Sequence, residues 1–469
     1  MINSFFSPQA VLQLPSIDIY VSFLLKFSLA LIWILHCIPY PQTTTRRSPH
    51  IGILVGLGLL LALASAASWA VDPTQKTAEP RYYSVFYDVR IIPNEHTAQV
   101  SIRLGEGSHH VRYIQLRTDP KRHQHFGGDG ELKEVEGGIR WIPPRDGGEL
   151  HYTFQIDHFR DNRGYDSRSA ENWALFRGDD LVPPVRVRTK KGVKARAQLR
   201  FQLPSKWSAA TSYPQDTDGR YVVDHPDRRF DRPTGWMVLG ERLGVLRERI
   251  ADSWVAIAGP VGEGLRRHDI LALVRWTLPT LKGLLNQLPE RILIVGAGDP
   301  MWRGGLSGPK SLYIHADRPL IASDGTSPLL HELMHTVMRA RSGPGGDWII
   351  EGLAEFYSLE LLMRSGTISC HRYNKTLAKL EGHGRGVKKL EGEFSSGAVT
   401  ARAVAVLREL DQHIRKQTSG KANLDDVLRT MTAIPEIWTP ARFQKICERV
   451  AGTSFEAFFK RWIHEVGGA

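Results

Sequence analysis

Thr326-Ser-Pro-Leu-Leu-His331-Glu332-Leu333-Met334-His335-Thr-Val-Met is the stretch from which the rest of the chain can be read. Ser327 followed by Pro328 marks a helix start, because proline at the first helical position gives up only an amide that has no intrahelical partner anyway. On the helix that follows, His331 and His335 stand four residues apart and project from one face, so both imidazoles can meet one metal ion. Glu332 is then placed beside the metal rather than on it. That is the position of a general base acting on a metal-activated water.

A short glycine-rich connection leads to Trp348-Ile-Ile-Glu351-Gly352-Leu353-Ala354-Glu355-Phe-Tyr, at the head of a second helical pattern. Glu351 can supply a third, oxygen ligand and leave the fourth position open for water, as a catalytic rather than a structural site requires. Glu355 lies one turn on, on the same face, suited to hydrogen-bond a ligand histidine and fix its tautomer. Gly352 is expected to let the two helices approach closely. The plainer alternative, two ordinary histidines on an amphipathic helix and a solvated acidic face, leaves the pairing of the two segments unexplained.

Downstream of residue 366 the pattern is helical. Val399, Ala403, Val406, Leu407, Leu410 and Ile414 form one apolar stripe, stopped at Ser419-Gly420. The last helix carries Phe455, Phe458, Phe459, Trp462 and Ile463 on one face behind Ser454 as its cap, a core stripe rather than a cofactor box. Upstream, residues 265–288 read as a helix, and Arg291-Ile-Leu-Ile-Val and Ser311-Leu-Tyr-Ile as buried strands. Gly296-Ala-Gly298 is no nucleotide loop, since Met301 stands where the third glycine belongs. From Tyr82 to about Leu246 the signals are strands and turns. Val185-Arg-Val-Arg and Val193-Lys-Ala-Arg-Ala-Gln-Leu alternate apolar and polar on either side of Lys191-Gly192, which predicts a hairpin with one wet face.

The 469 residues carry 61 Lys+Arg against 49 Asp+Glu, a net charge of +12 that predicts attraction to anionic surfaces. No nucleic-acid recognition motif accompanies it, so no nucleic-acid partner is expected. Three cysteines, Cys37, Cys370 and Cys447, exclude a four-thiolate zinc site. Residues 51–71 are almost wholly apolar, follow Arg46 and Arg47, and include Ala64-Ser65-Ala66-Ala67, the pattern of an export signal. Uncleaved, such a run could span a bilayer, which takes about 20 apolar residues. Residues 17–40 offer a second apolar segment. The expected location is therefore outside the cytoplasm, periplasmic or membrane-anchored. There Cys370 and Cys447 could pair, or remain two free buried thiols.

The pair HELMH and WIIEGLAEFY resembles the gluzincin zinc metallopeptidases, particularly the membrane alanyl and glycyl aminopeptidase groups. The resemblance implies an α+β multidomain chain. Residues 1–71 are the targeting or membrane segments, 72–247 a β-rich N-terminal sandwich, 248–366 a thermolysin-like catalytic domain and 367–469 a helical C-terminal region. It also implies one zinc ion per chain held by His331, His335 and Glu351, with Glu332 as general base and a peptide or protein as substrate.

Two departures stand out. The family's Gly-Ala-Met-Glu-Asn loop uses its glutamate to bind the substrate's free amino group. The corresponding stretch here is Gly304-Gly305-Leu306-Ser307-Gly308, which lacks that carboxylate but can present backbone groups to a peptide edge. The family's oxyanion-binding tyrosine, in a Tyr-x-x-Gly context, is replaced in Phe394-Ser395-Ser396-Gly397. Losing one such donor costs about 10²- to 10³-fold in rate. His383, Ser395 and Ser396 are the candidate replacements, an ordinary exposed loop residue being the alternative for His383. The sequence thus predicts a zinc-dependent peptidase. The alternative is a catalytically weak or inactive zinc-binding relative that serves as an envelope binding module.

Overall fold

A computed structural model describes residues 81–464 of the chain, other than 161–162, 225–229 and 435. All the described residues belong to one compact unit. The two apolar segments read as targeting sequence lie outside the described residues. Among the described residues no helix is long and apolar enough to cross a membrane.

The N-terminal part is built on period-two strands. Strand β1 (Arg81–Ile92) buries Tyr83, Val85, Tyr87, Val89 and Ile91 and turns the intervening residues outward. After the turn at Pro93–Glu95, closed by His96 in the left-handed region, β2 (Thr97–Leu104) returns antiparallel to it. Downstream, β3 (Trp173–Arg177) is buried along most of its length. The next two strands, β4 (Val185–Thr189) and β5 (Val193–Gln202), do not form the expected hairpin. β5 runs parallel to β1 in a six-stranded sheet, whereas β4 pairs with Val111–Leu116 in a separate four-stranded one. Lys191-Gly192, with Gly192 at φ +77°, is where the chain changes sheets. Alternation fixes which face of a strand is buried, and β5 does bury Val193, Ala195, Ala197 and Leu199 while exposing Lys194, Arg196 and Arg200. It does not choose the strand's neighbour.

Strand β6 (Trp236–Gly240) pairs with β3, and the sheet beside the histidine helix starts after it with β7 (Leu243–Ile250) and β8 (Ser253–Pro260). Helix α1 (Arg267–Leu284) leads to β9 (Arg291–Val295), parallel to β8. Then come β10 (Gly305–Gly308) and β11 (Ser311–Ile314), in the sheet order β7-β8-β9-β11-β10. β10 is an edge strand. Helix α2 (Pro328–Met338) lies against β10 and β11, and Thr336 Oγ1 donates to the Ser311 carbonyl at 3.0 Å.

Helix α3 (Asp347–Arg364) is buried on nearly all sides. Gly346, just before it, permits the tight approach of the chain to Trp438, whose carbonyl oxygen would lie 2.1 Å from an added Cβ. The helical region continues as α4 (Cys370–Gly384), α5 (Ala398–Gln417), α6 (Leu424–Ala433) and α7 (Pro440–Ala451). Its apolar residues share one core with α1, α2 and α3, so the tail buttresses the histidine helix rather than standing apart. Gly352 serves this packing. An added Cβ there would sit 2.7 Å from the Ala403 Cβ, so the glycine brings α3 onto α5 and not, as its sequence position suggested, onto α2. The closing helical turn buries Phe455, Phe458, Phe459 and Ile463. The helix begins at Glu456 behind Phe455, and Ser454 Oγ accepts from the Glu456 amide at 3.3 Å. Cys370 is exposed and Cys447 buried, and both are free thiols.

Candidate metal centre

Ser327 caps α2 by accepting from the Leu330 amide at 3.3 Å, and Pro328 occupies the first turn. Leu329, Leu330, Leu333, Met334 and Val337 then turn into the core. This leaves His331, Glu332 and His335 on the face toward a cavity of about 600 Å³. The His331 and His335 Nε2 atoms are 3.1 Å apart. Glu351, one turn into α3, closes a triangle with them: its Oε2 is 3.3 Å from His331 Nε2 and its Oε1 3.3 Å from His335 Nε2. A tetrahedral zinc with bonds of about 2.0–2.1 Å would hold its donors roughly 3.3 Å apart, so the three side chains fit such an ion. Among the described residues this is the one group of three His, Cys, Asp or Glu so arranged.

Glu355 completes the arrangement from behind. Its Oε2 lies 2.8 Å from His331 Nδ1, which holds the ring with Nδ1–H donated backward and Nε2 facing the cluster. Burial favours neutral His331, but the carboxylates of Glu351 and Glu355 outweigh it and hold the imidazolium form up to about 10. Burial likewise opposes charge on Glu351, yet the two imidazoles keep its carboxyl down to about 2. The cluster thus demands positive charge where the three donors meet, which a divalent cation would supply.

Burial pushes the Glu332 carboxyl above the usual carboxylate range, against the pull of His331 and His335, and the Ser307 amide donates to it. Its side chain crosses Gly305, where an added Cβ would come within 2.6 Å of the Glu332 Cγ. Gly305 and Leu306 line the cavity together with Ser307. Gly304 does not, because it makes room for the neighbouring Trp302 ring, 1.9 Å from its would-be Cβ.

The other candidates lie elsewhere. His383 is exposed near the end of α4. The Ser395 backbone amide donates to Asp347 Oδ2 at 2.6 Å, Ser396 is exposed, and Phe394 is 85% exposed. None of these lines the cavity. Two residues that do, and that no local pattern announced, are Arg177 at the end of β3 and Arg341 just past α2.

No protein-family model matches the sequence, and no curated protein is similar to it in sequence. Solved structures are similar in fold. An aminopeptidase N family protein from Idiomarina loihiensis superposes with a TM-score of 0.64 at 15% identity, over 82% of this chain and 76% of that one. A variant of an M1 zinc metallopeptidase from Deinococcus radiodurans gives 0.55 at 14%, over 83% and 95%. Legionella pneumophila aminopeptidase A gives 0.51 at 11%, over 82% and 49%. The chain has the mixed α/β fold of the M1 zinc metallopeptidases, with several sheets and a helical C-terminal region.

Proposed function

We propose that this chain is a zinc-dependent peptidase, holding one zinc ion on His331, His335 and Glu351 and using Glu332 as general base. The observation that carries the reading is the pair of imidazole nitrogens 3.1 Å apart, each 3.3 Å from an oxygen of Glu351, beside the Glu332 carboxylate. When bound, zinc supplies Lewis-acid polarisation of a peptide carbonyl and acidification of the attacking water. Glu332 receives the water's proton and delivers it to the leaving amine. Glu355 keeps His331 in the tautomer that points Nε2 at the cluster. The edge strand β10 offers backbone to an extended peptide laid beside it, by the same pairing that adds a strand to a sheet.

The test is a digest of an unbiased peptide library by the purified chain, paired with metal analysis. About one zinc per chain and cleavage that a chelator abolishes and zinc restores are expected. A second reading, a zinc-binding but catalytically weak module of the cell envelope, is favoured by Ser307 standing in the cavity where the family has a carboxylate and by the exposed Phe394 standing for its tyrosine. It predicts bound zinc and no turnover across the library. The proposed site of action outside the cytoplasm rests on residues 17–71 alone, and N-terminal sequencing of the chain from a membrane and a soluble fraction tests it.

A further inference from the structure

We infer that the cavity at the metal centre selects its substrate by a carboxylate, bound by Arg177 and Arg341, and not by a free amino group. This rests on the peptidase reading above and names the substrate class of that site. Its premise is a count of charges. Two carboxylates line the cavity, Glu332 and Glu351, and both have other work in the proposed reaction, Glu351 beside the two imidazoles and Glu332 as general base. Apart from the two candidate ligand histidines, the remaining charged lining residues are the two arginines. An ammonium group entering here would meet two guanidinium groups and would compete with the proton transfer for Glu332, whereas an anion would meet two donors of matching charge.

Arg177 is held at the cavity wall by a ring below it and an acid beside it. Its guanidinium lies over the Trp236 ring, 5.4 Å from the centroid. Trp236 is fully buried, and its indole N–H donates to the Leu306 carbonyl at 2.9 Å, tying the platform to the edge strand beside Glu332. The nearest acid, Asp180, stands 3.5 Å from Arg177 Nε without hydrogen-bond geometry, and its same oxygen pairs with Arg122 Nη1 at 3.1 Å. Arg177 Nε is buried on the Asp180 side, which leaves the guanidinium's terminal nitrogens, with no hydrogen bond among the described residues, as the groups an incoming carboxylate can meet. Arg341, exposed in the segment that follows α2, lines the same cavity. Guanidinium and carboxylate match as a planar fork and two oxygens, so the geometry suits a carboxylate better than a lone acceptor.

The carboxylate can be an Asp or Glu side chain or the substrate's C-terminus, and the experiment separates them. Matched fluorogenic peptides carry Glu, Gln or Lys at successive positions, each as C-terminal acid and amide, and are given to the zinc-loaded full-length chain. Expected is a kcat/KM about 10- to 100-fold higher for the carboxylate member than for its neutral isostere, carried by KM, with Lys lower still. Glu over Gln at an internal position identifies a side chain; acid over amide identifies the C-terminus. Arg177→Gln and Arg341→Gln each reduce the ratio and Arg177→Lys retains part of it. A ratio measured within one variant is insensitive to how much of that variant folds. Anisotropy of the same peptides on zinc-loaded Glu332→Gln reads the preference without turnover. Cleavage that shows no preference for a carboxylate, or binding that shows none, overturns the inference and leaves the peptidase reading standing. Carboxylate-selective binding with no cleavage of any peptide does the reverse.

Discussion

Gly305→Ala is the substitution by which the structure predicts a loss of activity without a loss of metal. The added Cβ would lie 2.6 Å from the Glu332 Cγ, 3.1 Å from its Oε1 and 3.2 Å from its Cδ. Carbon atoms in contact prefer about 3.5–4.0 Å, so one of the two must give way by roughly 1 Å. Gly305 is paired to Ile314 within the sheet, whereas Glu332 is a side chain with rotatable bonds, and it is the carboxylate that moves. Misplacing a catalytic group by 1 Å can cost about 10²-fold, which corresponds to about 2.7 kcal/mol in the barrier. The variant should therefore retain its zinc and its fold while kcat on a cleaved library peptide falls about a hundredfold. In a Glu332→Gln background the same change should add less than about twofold, since the displaced group is already disabled. Wild-type kcat in Gly305→Ala, or an equal loss in both backgrounds, would refute the reasoning.

Glu355→Gln weakens the hold on His331 Nδ1 and should reduce zinc affinity by about 10- to 100-fold, read by competition with a chromogenic chelator. Burial pushes the Cys447 thiol well above its ordinary range, so at pH 8 it stays neutral. Alkylation of the native chain followed by peptide mass analysis should label exposed Cys370 and spare Cys447 until unfolding. Burial lowers the pKa of His123, whose Nε2 lies 2.7 Å from the Asp180 carbonyl. The unfolded chain then binds the extra proton first, so this contribution is complete above about pH 6.5 and is lost as pH falls below it. The unfolding temperature should drop between pH 7.5 and 5.5, and less steeply in His123→Gln. Equal slopes would remove His123 as the cause.

That His331, His335 and Glu351 come together was legible because their relation is local. His331 and His335 are one turn apart on a helix whose start Ser327-Pro328 announces, and Glu351 and Glu355 repeat the device on the next helix. The rest of the cavity is assembled from distant segments. Arg177 closes a strand of the N-terminal part and reaches the metal centre only because β3 pairs with β6, whose Trp236 is bound to Leu306. Nothing in the neighbourhood of Arg177 in sequence carries that information. The same limit explains β4 and β5, where alternation identified the buried face and the partner strand came from elsewhere. Gly352 was recognised as a close-approach glycine, but its partner is Ala403, a contact set by the tail's packing.

Hydrolysis by zinc-replete Glu332→Gln tests the central claim most directly. The substitution keeps the size of the side chain and leaves His331, His335 and Glu351 untouched, so the account predicts wild-type zinc content and a kcat reduced by at least about 10²-fold, the low end of what a positioned general base contributes. A zinc-replete variant that cleaves at the wild-type rate would contradict it.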